Sequence, residues 1–299
     1  MSKLVSIKTA RKLLKKHDLS ELRAAINYIN AFSGKRFVLK IGGSVLNDLS
    51  LLPSLIEDVI FLKKVGIDVV LVHGGSGLLN EAMKENNLPI QKIRGLRVTS
   101  AKVLELAAKV FAKISDGIKT EIEKHGYKCQ IFGRDTALVE SEQIDIPELG
   151  FVGVPRNVKV SLLDNLADNV IPVVSSITAG TKIGDIGFNV NADNVAGILA
   201  AKIRAEKLIL MTDVEGVLDE NGKLLSSLTV SQVEDLIEKK IIREGMIPKV
   251  ETCLKALKNG VTKCHIVKGS ANSFMDEILT DEGVGTEFVK DDLSKEAVN

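Results

Sequence analysis

The sequence has no tryptophan, two tyrosines, three cysteines and six prolines, and its formal net charge is only +1 over 299 residues. The absence of a strong net charge argues against a general affinity for nucleic acid or an anionic membrane surface. The cysteines are widely spaced without a C-x-x-C pair, so we expect buried thiols in a reducing compartment. There is no apolar run of membrane-spanning length and no N-terminal signal segment, which predicts a cytoplasmic protein.

What the sequence does contain is an ordinary globular composition, with 45% hydrophobic and 26% charged residues. Short, continuously apolar segments alternate with segments of helical periodicity, which indicates a mostly parallel sheet covered on both faces. The predicted strands are 36–40, 68–73, 127–132, 169–175, 207–211 and 263–267. The predicted helices are 51–65, 78–85, 100–124, 191–204, 230–240 and 246–258.

An additional helix is predicted over residues 4–33, before the first strand. Its apolar stripe must pack against either a partner subunit or the rest of the chain. A glycine-rich connector follows at 180–187, and we place a boundary near Ile177. The predicted division is a helical extension (1–34), a first lobe (35–177) and a second lobe (178–299).

Two glycine turns follow predicted strands, Lys40-Ile-Gly-Gly43 and His73-Gly-Gly75. Ligands bind at the carboxyl ends of strands in such sheets, and glycines let backbone N–H groups approach an anion. Neither turn matches a P-loop or a complete dinucleotide-binding fingerprint. The alternative is that both are tight turns without a ligand.

Two lysines are candidates for stabilising the negative charge of a ligand. Lys40 ends an apolar strand, where an ammonium group needs an anionic partner. Lys249 opens a helix, where a lone lysine is more often a solvated surface group. If it shares a cleft with Lys40, the two lysines can offset the charge on a transferring phosphoryl group. Asp193 either caps its helix or orients the two lysines. Arg97 offers a bidentate fork for a substrate carboxylate.

Five segments, taken in order, resemble the amino acid kinase superfamily, and within it the branch of N-acetylglutamate kinases of L-arginine biosynthesis. The resemblance covers residues 28–289. The segments are Lys40-Ile-Gly-Gly, His73-Gly-Gly, Gly95-Leu-Arg-Val-Thr, Asn189-Val-Asn-Ala-Asp and Gly245-Met-Ile-Pro-Lys, with Leu210-Met-Thr-Asp-Val-Glu-Gly before the last. The chain departs from the family pattern at Ser76, Gly77 and Glu244, which concerns the substrate more than the reaction type.

The resemblance implies a three-layer αβα sandwich with an open, mostly parallel sheet. It also implies an enzyme that uses ATP and Mg²⁺ to phosphorylate the side-chain carboxylate of N-acetyl-L-glutamate, with no protein ligand for the metal. The implied catalytic residues are Lys40, Lys249 and Asp193. The implied substrate-binding residues are Gly74, Gly75, Arg97 and Asn189, and the implied nucleotide-binding residues are Gly42, Gly43, Thr212, Asp213, Val214 and Gly216.

The N-terminal helix and the segment containing Glu277 and Gly283–Thr286 resemble those of arginine-inhibited, hexameric members of the family, although Asn272 replaces their usual histidine. We therefore expect a homo-oligomer, either a dimer or a hexamer, with arginine as an effector. Two alternatives remain. One is a kinase for N-succinylglutamate or a carrier-linked aminoadipate, and the other is a non-catalytic sensor of arginine or nucleotide.

Overall fold

The computed structural model describes residues 19–47, 49–270, 275, 277 and 283–291. The first half of the predicted N-terminal helix, residues 4–18, and Asn272 lie outside these residues. The helices are α1 (Leu19–Phe32), α2 (Gly43–Asn47), α3 (Leu52–Lys64), α4 (Ser76–Glu85), α5 (Ala101–Lys124), α6 (Ser161–Asp164), α7 (Ala192–Lys202), α8 (Val230–Glu238) and α9 (Ile247–Lys258). Short 3-10 helices occupy Leu49–Leu51, Pro147–Leu149 and Glu244–Met246.

Eight strands form the central sheet. They are β1 (Arg36–Ile41), β2 (Asp68–His73), β5 (Lys128–Phe132), β8 (Val170–Ser175), β11 (Lys207–Thr212), β12 (Ser227–Thr229), β13 (Lys263–Lys268) and β14 (Thr286–Val289). Their spatial order is β12-β14-β13-β11-β1-β2-β8-β5. Every neighbouring pair is parallel except β13 with β14.

Five strands in the middle of this sheet, β1, β2, β8, β11 and β13, are mostly buried on both faces because their side chains alternate between two hydrophobic cores. In β1, Phe37, Leu39 and Ile41 join the core that includes α3 and α5, whereas Val38 joins the core that includes α7 and α9. This arrangement confirms the predicted αβα class with a mostly parallel sheet.

Two smaller sheets complete the fold. One contains β6 (Val139–Gln143), β7 (Gly153–Val158), β9 (Ile177–Gly180) and β10 (Phe188–Asn189), and the other is a hairpin of β3 (Lys92–Ile93) and β4 (Leu96–Arg97). The central sheet is continuous across the two predicted lobes, since β1 pairs with β11. The division near Ile177 therefore remains a prediction.

Most ends of the predicted elements lie within one to three residues of the ends seen in the structure. The sequence pattern missed α2, α6, the β3–β4 hairpin, the strands β6, β9 and β10, the edge strand β12 and its neighbour β14. Most of these elements are too short to show a periodicity. Within the described ranges, no helix is both long and apolar enough to cross a lipid bilayer.

The described part of the N-terminal helix packs against its own chain. Tyr28 and Phe32 of α1 contact the core that contains Phe37. The ammonium group of Lys207 lies 4.9 Å from the centroid of the Phe32 ring and 5.2 Å from that of Tyr28. Ile26 on the same helix is exposed. The helix therefore has an intramolecular contact and also an apolar residue that nothing in the described chain covers.

Candidate active site

A cleft of about 280 Å³ lies at the carboxyl ends of β1 and β2. Both strands lie in the middle of the sheet. β1 has β2 on one side and β11 on the other, so the chain turns to opposite sides of β1. Open α/β sheets bind ligands at such positions. The glycines and polar residues that line the cleft are Lys40, Gly43, Gly74, Gly75, Ser76, Lys92, Gly95, Arg97, Ser176, Asn189, Asn191, Asp193 and Lys249.

One buried carboxylate holds two ammonium groups in this cleft. Lys40 Nζ lies 2.9 Å from Asp193 Oδ1, and Lys249 Nζ lies 2.9 Å from Asp193 Oδ2. The side chains of Lys40, Lys249 and Asp193 are 10%, 19% and 5% exposed. Residues more than 200 positions apart in the chain therefore form one ionic cluster that carries a net positive charge.

The carboxyl group of Asp193 stays ionised at any physiological pH. Burial by itself would raise its pKa, but the charges and hydrogen bonds of Lys40 and Lys249 outweigh that effect and lower the pKa to about 2. The carboxylate thus neutralises part of the lysine charge without being a proton acceptor near neutral pH.

Local sequence explains why Asp193 faces the lysines. Asn191, not Asp193, is the N-cap of α7, since its side-chain oxygen accepts a hydrogen bond of 2.8 Å from the Asp193 N–H. The possibility that Asp193 itself caps the helix is therefore wrong. Because the cap is supplied by Asn191, the Asp193 carboxylate is left to contact the lysines.

The helix that carries Lys249 is held close to α7. A Cβ added to Gly197 would lie 2.6 Å from Thr252 Cγ2, so glycine permits the two helices to approach. Thr252 also donates a hydrogen bond of 3.2 Å to Asn194 Oδ1. Pro248 lies in the first turn of α9, where its fixed φ suits a helix start, and Lys249 is the next residue.

The glycine turns bring backbone close to the cleft because side chains would not fit there. A Cβ on Gly42 would lie 2.1 Å from the Met211 carbonyl oxygen, and one on Gly75 would lie 2.6 Å from both Phe111 and Ile114. Gly43 begins α2, and Gly75 is the N-cap of α4. The N–H groups at these helix starts are suited to binding an anion.

Arg97 and Asn189 also line the cleft. The Arg97 guanidinium donates to Met83 Sδ at 3.3 Å and to the Ser76 carbonyl at 3.2 Å, and burial lowers its pKa. Among the described residues, no carboxylate forms an ion pair with it. Asn189 Nδ2 donates to Thr99 Oγ1 at 3.2 Å. A buried cation without a counter-charge is a candidate partner for an anionic ligand.

Of the predicted nucleotide-binding residues, Thr212 ends β11, and Asp213, Val214 and Gly216 follow it. None of the four is in the lining of the cleft. Thr212 Oγ1 donates to Asp213 Oδ1 at 2.9 Å. This bond and, to a smaller extent, the charges of Lys249 and Lys40 lower the pKa of Asp213, which shows that the two regions adjoin. Gly216 packs tightly against Thr286. Gly42, unlike Gly43, does not line the cleft.

Three polar residues that line the cleft were not identified from the sequence pattern, namely Lys92, Ser176 and Asn191. Ser176 follows the carboxyl end of β8, and that position relative to a parallel sheet was the available signal. In the described ranges, no three His, Cys, Asp or Glu side chains are grouped closely enough to hold a metal ion.

Comparison with known proteins identifies a family. The sequence pattern of the amino acid kinase family matches residues 35–268. An acetylglutamate kinase of Syntrophobacter fumaroxidans is 39% identical over 282 residues, covering 89% of this chain and 94% of that protein. One from Geotalea daltonii is 40% identical, covering 93% of this chain and 99% of that protein.

Solved structures show the same fold at lower identity. An N-acetylglutamate synthase of Neisseria gonorrhoeae, complexed with coenzyme A and L-arginine, matches with a TM-score of 0.82 at 23% identity over 92% of this chain. The match spans 66% of the synthase chain. A carbamate kinase of Giardia lamblia bound to AMP-PNP matches with a TM-score of 0.66 at 16% identity, covering 86% of this chain and 99% of that one.

Proposed function

Because this chain belongs to the amino acid kinase family, we propose that it transfers the γ-phosphoryl group of ATP to the side-chain carboxylate of N-acetyl-L-glutamate, a step in L-arginine biosynthesis. The observation that carries the proposal is the pair of ammonium groups held 2.9 Å from one buried carboxylate beside two glycine turns. The names and the 39–40% identity of the acetylglutamate kinases support the choice of substrate.

The chemistry of the acceptor fits a site without a general base. A glutamate side-chain carboxylate has a pKa of about 4.3 and is already an ionised nucleophile at neutral pH. The protein must then position donor and acceptor in line and offset the negative charge of the phosphoryl group. Lys40 and Lys249 supply positive charge, and Gly43 and Gly75 supply N–H donors.

Asp193 orients the two lysines in this proposal. Its oxygens hold the two amines at fixed positions in the free enzyme, so that little reorganisation is needed when phosphate binds. The remaining net positive charge of the cluster favours an anionic ligand in the cleft.

Arg97 and Asn189, which line the same cleft as the lysines, hold the acceptor's α-carboxylate region. The nucleotide is bound at the end of β11, by Thr212, Asp213, Val214 and Gly216. The only carboxylate among these four is Asp213, so the fit to Mg²⁺ is through the nucleotide phosphates rather than through a protein cage. When bound, Mg²⁺ would neutralise phosphate charge.

We expect Arg97→Lys to raise the KM for N-acetyl-L-glutamate about 10-fold or more, with a smaller effect on kcat. Lysine keeps the charge but loses the planar fork that pairs with a carboxylate. Steady-state kinetics with saturating ATP would measure the change. Arg156→Lys is the matched control, because Arg156 forms an exposed ion pair with Glu142 at 2.9 Å. An unchanged KM in the Arg97 variant would contradict the assignment.

The proposed reaction is tested by trapping its product with hydroxylamine, which converts an acyl phosphate to a stable hydroxamate. We expect ATP-dependent hydroxamate with N-acetyl-L-glutamate and much less with N-succinyl-L-glutamate, L-glutamate or N-acetyl-L-aspartate. A stronger signal from another acylated amino acid would reassign the substrate. No hydroxamate from any acceptor, together with binding of ATP, would instead favour a non-catalytic sensor.

We also propose that arginine binds near α1, where two buried polar atoms have no hydrogen-bond partner among the described residues, Tyr28 Oη and His265 Nε2. His265 Nδ1 lies 2.8 Å from Glu277 Oε1, so the neutral ring donates there and leaves Nε2 as an acceptor. Glu287 is 3.9 Å from the same Nε2. An unfilled acceptor beside carboxylates suits a guanidinium, which has donors only.

Arginine should therefore inhibit the enzyme and raise its melting temperature, whereas L-citrulline, which has a neutral ureido group in place of the guanidinium, should do neither. Absence of any response to millimolar arginine would contradict this effector role. The assembly is a separate proposal, a homo-oligomer built through the exposed side of α1. Light scattering that shows only dimers at assay concentration would exclude the hexamer.

A further inference from the structure

His73 is a buried histidine that the proposed mechanism does not use. It ends β2 opposite Ile41 of β1 and Ser175 of β8, so it lies at the edge of the sheet where the cleft opens. Its side chain has no solvent exposure and does not line the cleft. Nδ1 lies 2.9 Å from the Gly74 carbonyl oxygen, and Nε2 lies 2.7 Å from Ser115 Oγ on α5.

The two hydrogen bonds fix the tautomer of the ring. A carbonyl oxygen can only accept, so Nδ1 carries the proton and donates to Gly74. Burial lowers the pKa of His73 to about 4, so the ring is neutral at pH 7 and Nε2 is an acceptor. The Ser115 hydroxyl must then be the donor to Nε2. Ser115 thereby stabilises the tautomer that donates to Gly74.

The orientation of the Gly74 carbonyl determines where the next N–H group points. No peptide bond in the described chain is cis, and in a trans peptide the carbonyl and the following N–H point in opposite directions. Since the Gly74 carbonyl faces the buried ring, the Gly75 N–H faces away from it. Gly75 lines the cleft, and its N–H makes no hydrogen bond with any described residue.

The same helix fixes the turn from a second direction. Phe111 and Ile114 of α5 are so close to Gly75 that an added Cβ would lie 2.6 Å from each. The His73 ring is also packed near Phe111, with 6.1 Å between ring centroids. The Gly74–Gly75 peptide is thus held by side-chain packing at one point and by the imidazole hydrogen bond at another.

We propose that His73, oriented by Ser115, is a positioning residue that turns the Gly74–Gly75 peptide so that the Gly75 N–H donates to the transferring phosphoryl group. The inference rests on the proposed phosphoryl transfer, but the geometry concerns the turn alone. Its physical basis is that a donor fixed in advance stabilises a developing charge better than one that must reorient during the reaction.

Three substitutions of His73 distinguish the contributions of the two ring nitrogens. Asparagine places an amide N–H close to the position of Nδ1, glutamine places one close to Nε2, and leucine has no polar atom. We expect His73→Leu and His73→Gln to lower kcat about 10- to 100-fold, with little change in KM, and His73→Asn to retain most of the activity. Ser115→Ala should lower kcat by about 3- to 10-fold. His125→Gln, at the end of α5, is the control.

Each rate is divided by the folded fraction, measured by circular dichroism, because a purely structural histidine would change only that fraction. A kcat per folded molecule within about 2-fold of wild type in the leucine and glutamine variants would overturn the proposal. Equal losses in the asparagine, glutamine and leucine variants would also overturn it, since packing rather than the Nδ1 donor would then be responsible.

A spectroscopic measurement tests the turn independently of the reaction. Long-range ¹H–¹⁵N spectra of the protein labelled with ¹⁵N-histidine should show His73 protonated at Nδ1 and not at Nε2 at pH 7. The opposite tautomer would overturn the proposal even if the enzyme is active. If the wild-type enzyme yields no acyl phosphate, the proposed function fails, while the tautomer still reports whether His73 orients the turn.

Discussion

Replacing Lys40 with alanine should lower kcat for acyl phosphate formation at least about 100-fold while the protein stays folded. The loss is comparable to that of one transition-state donor in other enzymes. The Lys40 ammonium group lies 2.9 Å from Asp193 and is almost fully buried in the cleft, so water cannot replace it well. The KM for the acceptor should change less than kcat, because the phosphoryl group acquires the charge that Lys40 offsets only as transfer proceeds.

The matched control for this change is Lys239→Ala. Lys239 also forms an ion pair with an aspartate, Asp235, at 2.7 Å, but both side chains are more than half exposed. Loss of such a pair costs little in stability and should not affect turnover. Near-normal kcat in the Lys40 variant would contradict the assigned role. Parallel losses in both variants would indicate a general effect of removing lysines.

The second large effect is expected from Asp193→Asn, which removes the charge between the two lysines and nearly preserves the shape. Without that charge, the two buried ammonium groups repel each other, which disfavours the state in which both lysines are protonated. One lysine of the variant should therefore lose its proton at a lower pH than in wild type. We expect kcat at pH 8 to fall about 10- to 100-fold.

The sign of the pH dependence makes this prediction specific. A neutral lysine cannot offset phosphoryl charge, so activity of the variant should fall as pH rises through the lowered lysine pKa. The wild-type profile over the same range is the reference for this fall. On the acid side, Asp193 does not limit wild-type activity, because its pKa is about 2. Profiles of kcat between pH 5.5 and 9.5 would measure both the acid and the alkaline side of this dependence.

The control here is Asp235→Asn, which removes the exposed partner of Lys239 and should leave the profile unchanged. If the Asp193 variant keeps the wild-type profile and rate, the carboxylate does not govern the lysines and the role assigned to it is wrong. A variant with a lower rate but an unshifted profile would mean that Asp193 acts by geometry alone.

The amino-acid sequence by itself determined the architecture and the order of the chemical groups along the chain. Continuously apolar strands such as 68–73 can be buried only in a sheet covered on both faces, which fixes the αβα class. The glycine turns and the strand-end Lys40 indicated a place for an anion, because the physical requirement there is local. The family resemblance of five ordered segments also depended on sequence alone.

Only the tertiary structure decided which groups meet. Nothing local distinguishes Lys249 from a surface lysine, and its contact with Asp193 depends on how α9 packs against α7 through Gly197 and Thr252. The cap of α7 was equally ambiguous, since Asn191 and Asp193 are both good capping residues. In the sequence, His73 is only the first residue of a glycine turn. In the structure, α5 places Ser115 Oγ at 2.7 Å from its imidazole. The contacts of Lys249 with Asp193 and of His73 with Ser115 join residues 56 and 42 positions apart, and the spacing of residues along a chain carries no information about such distances.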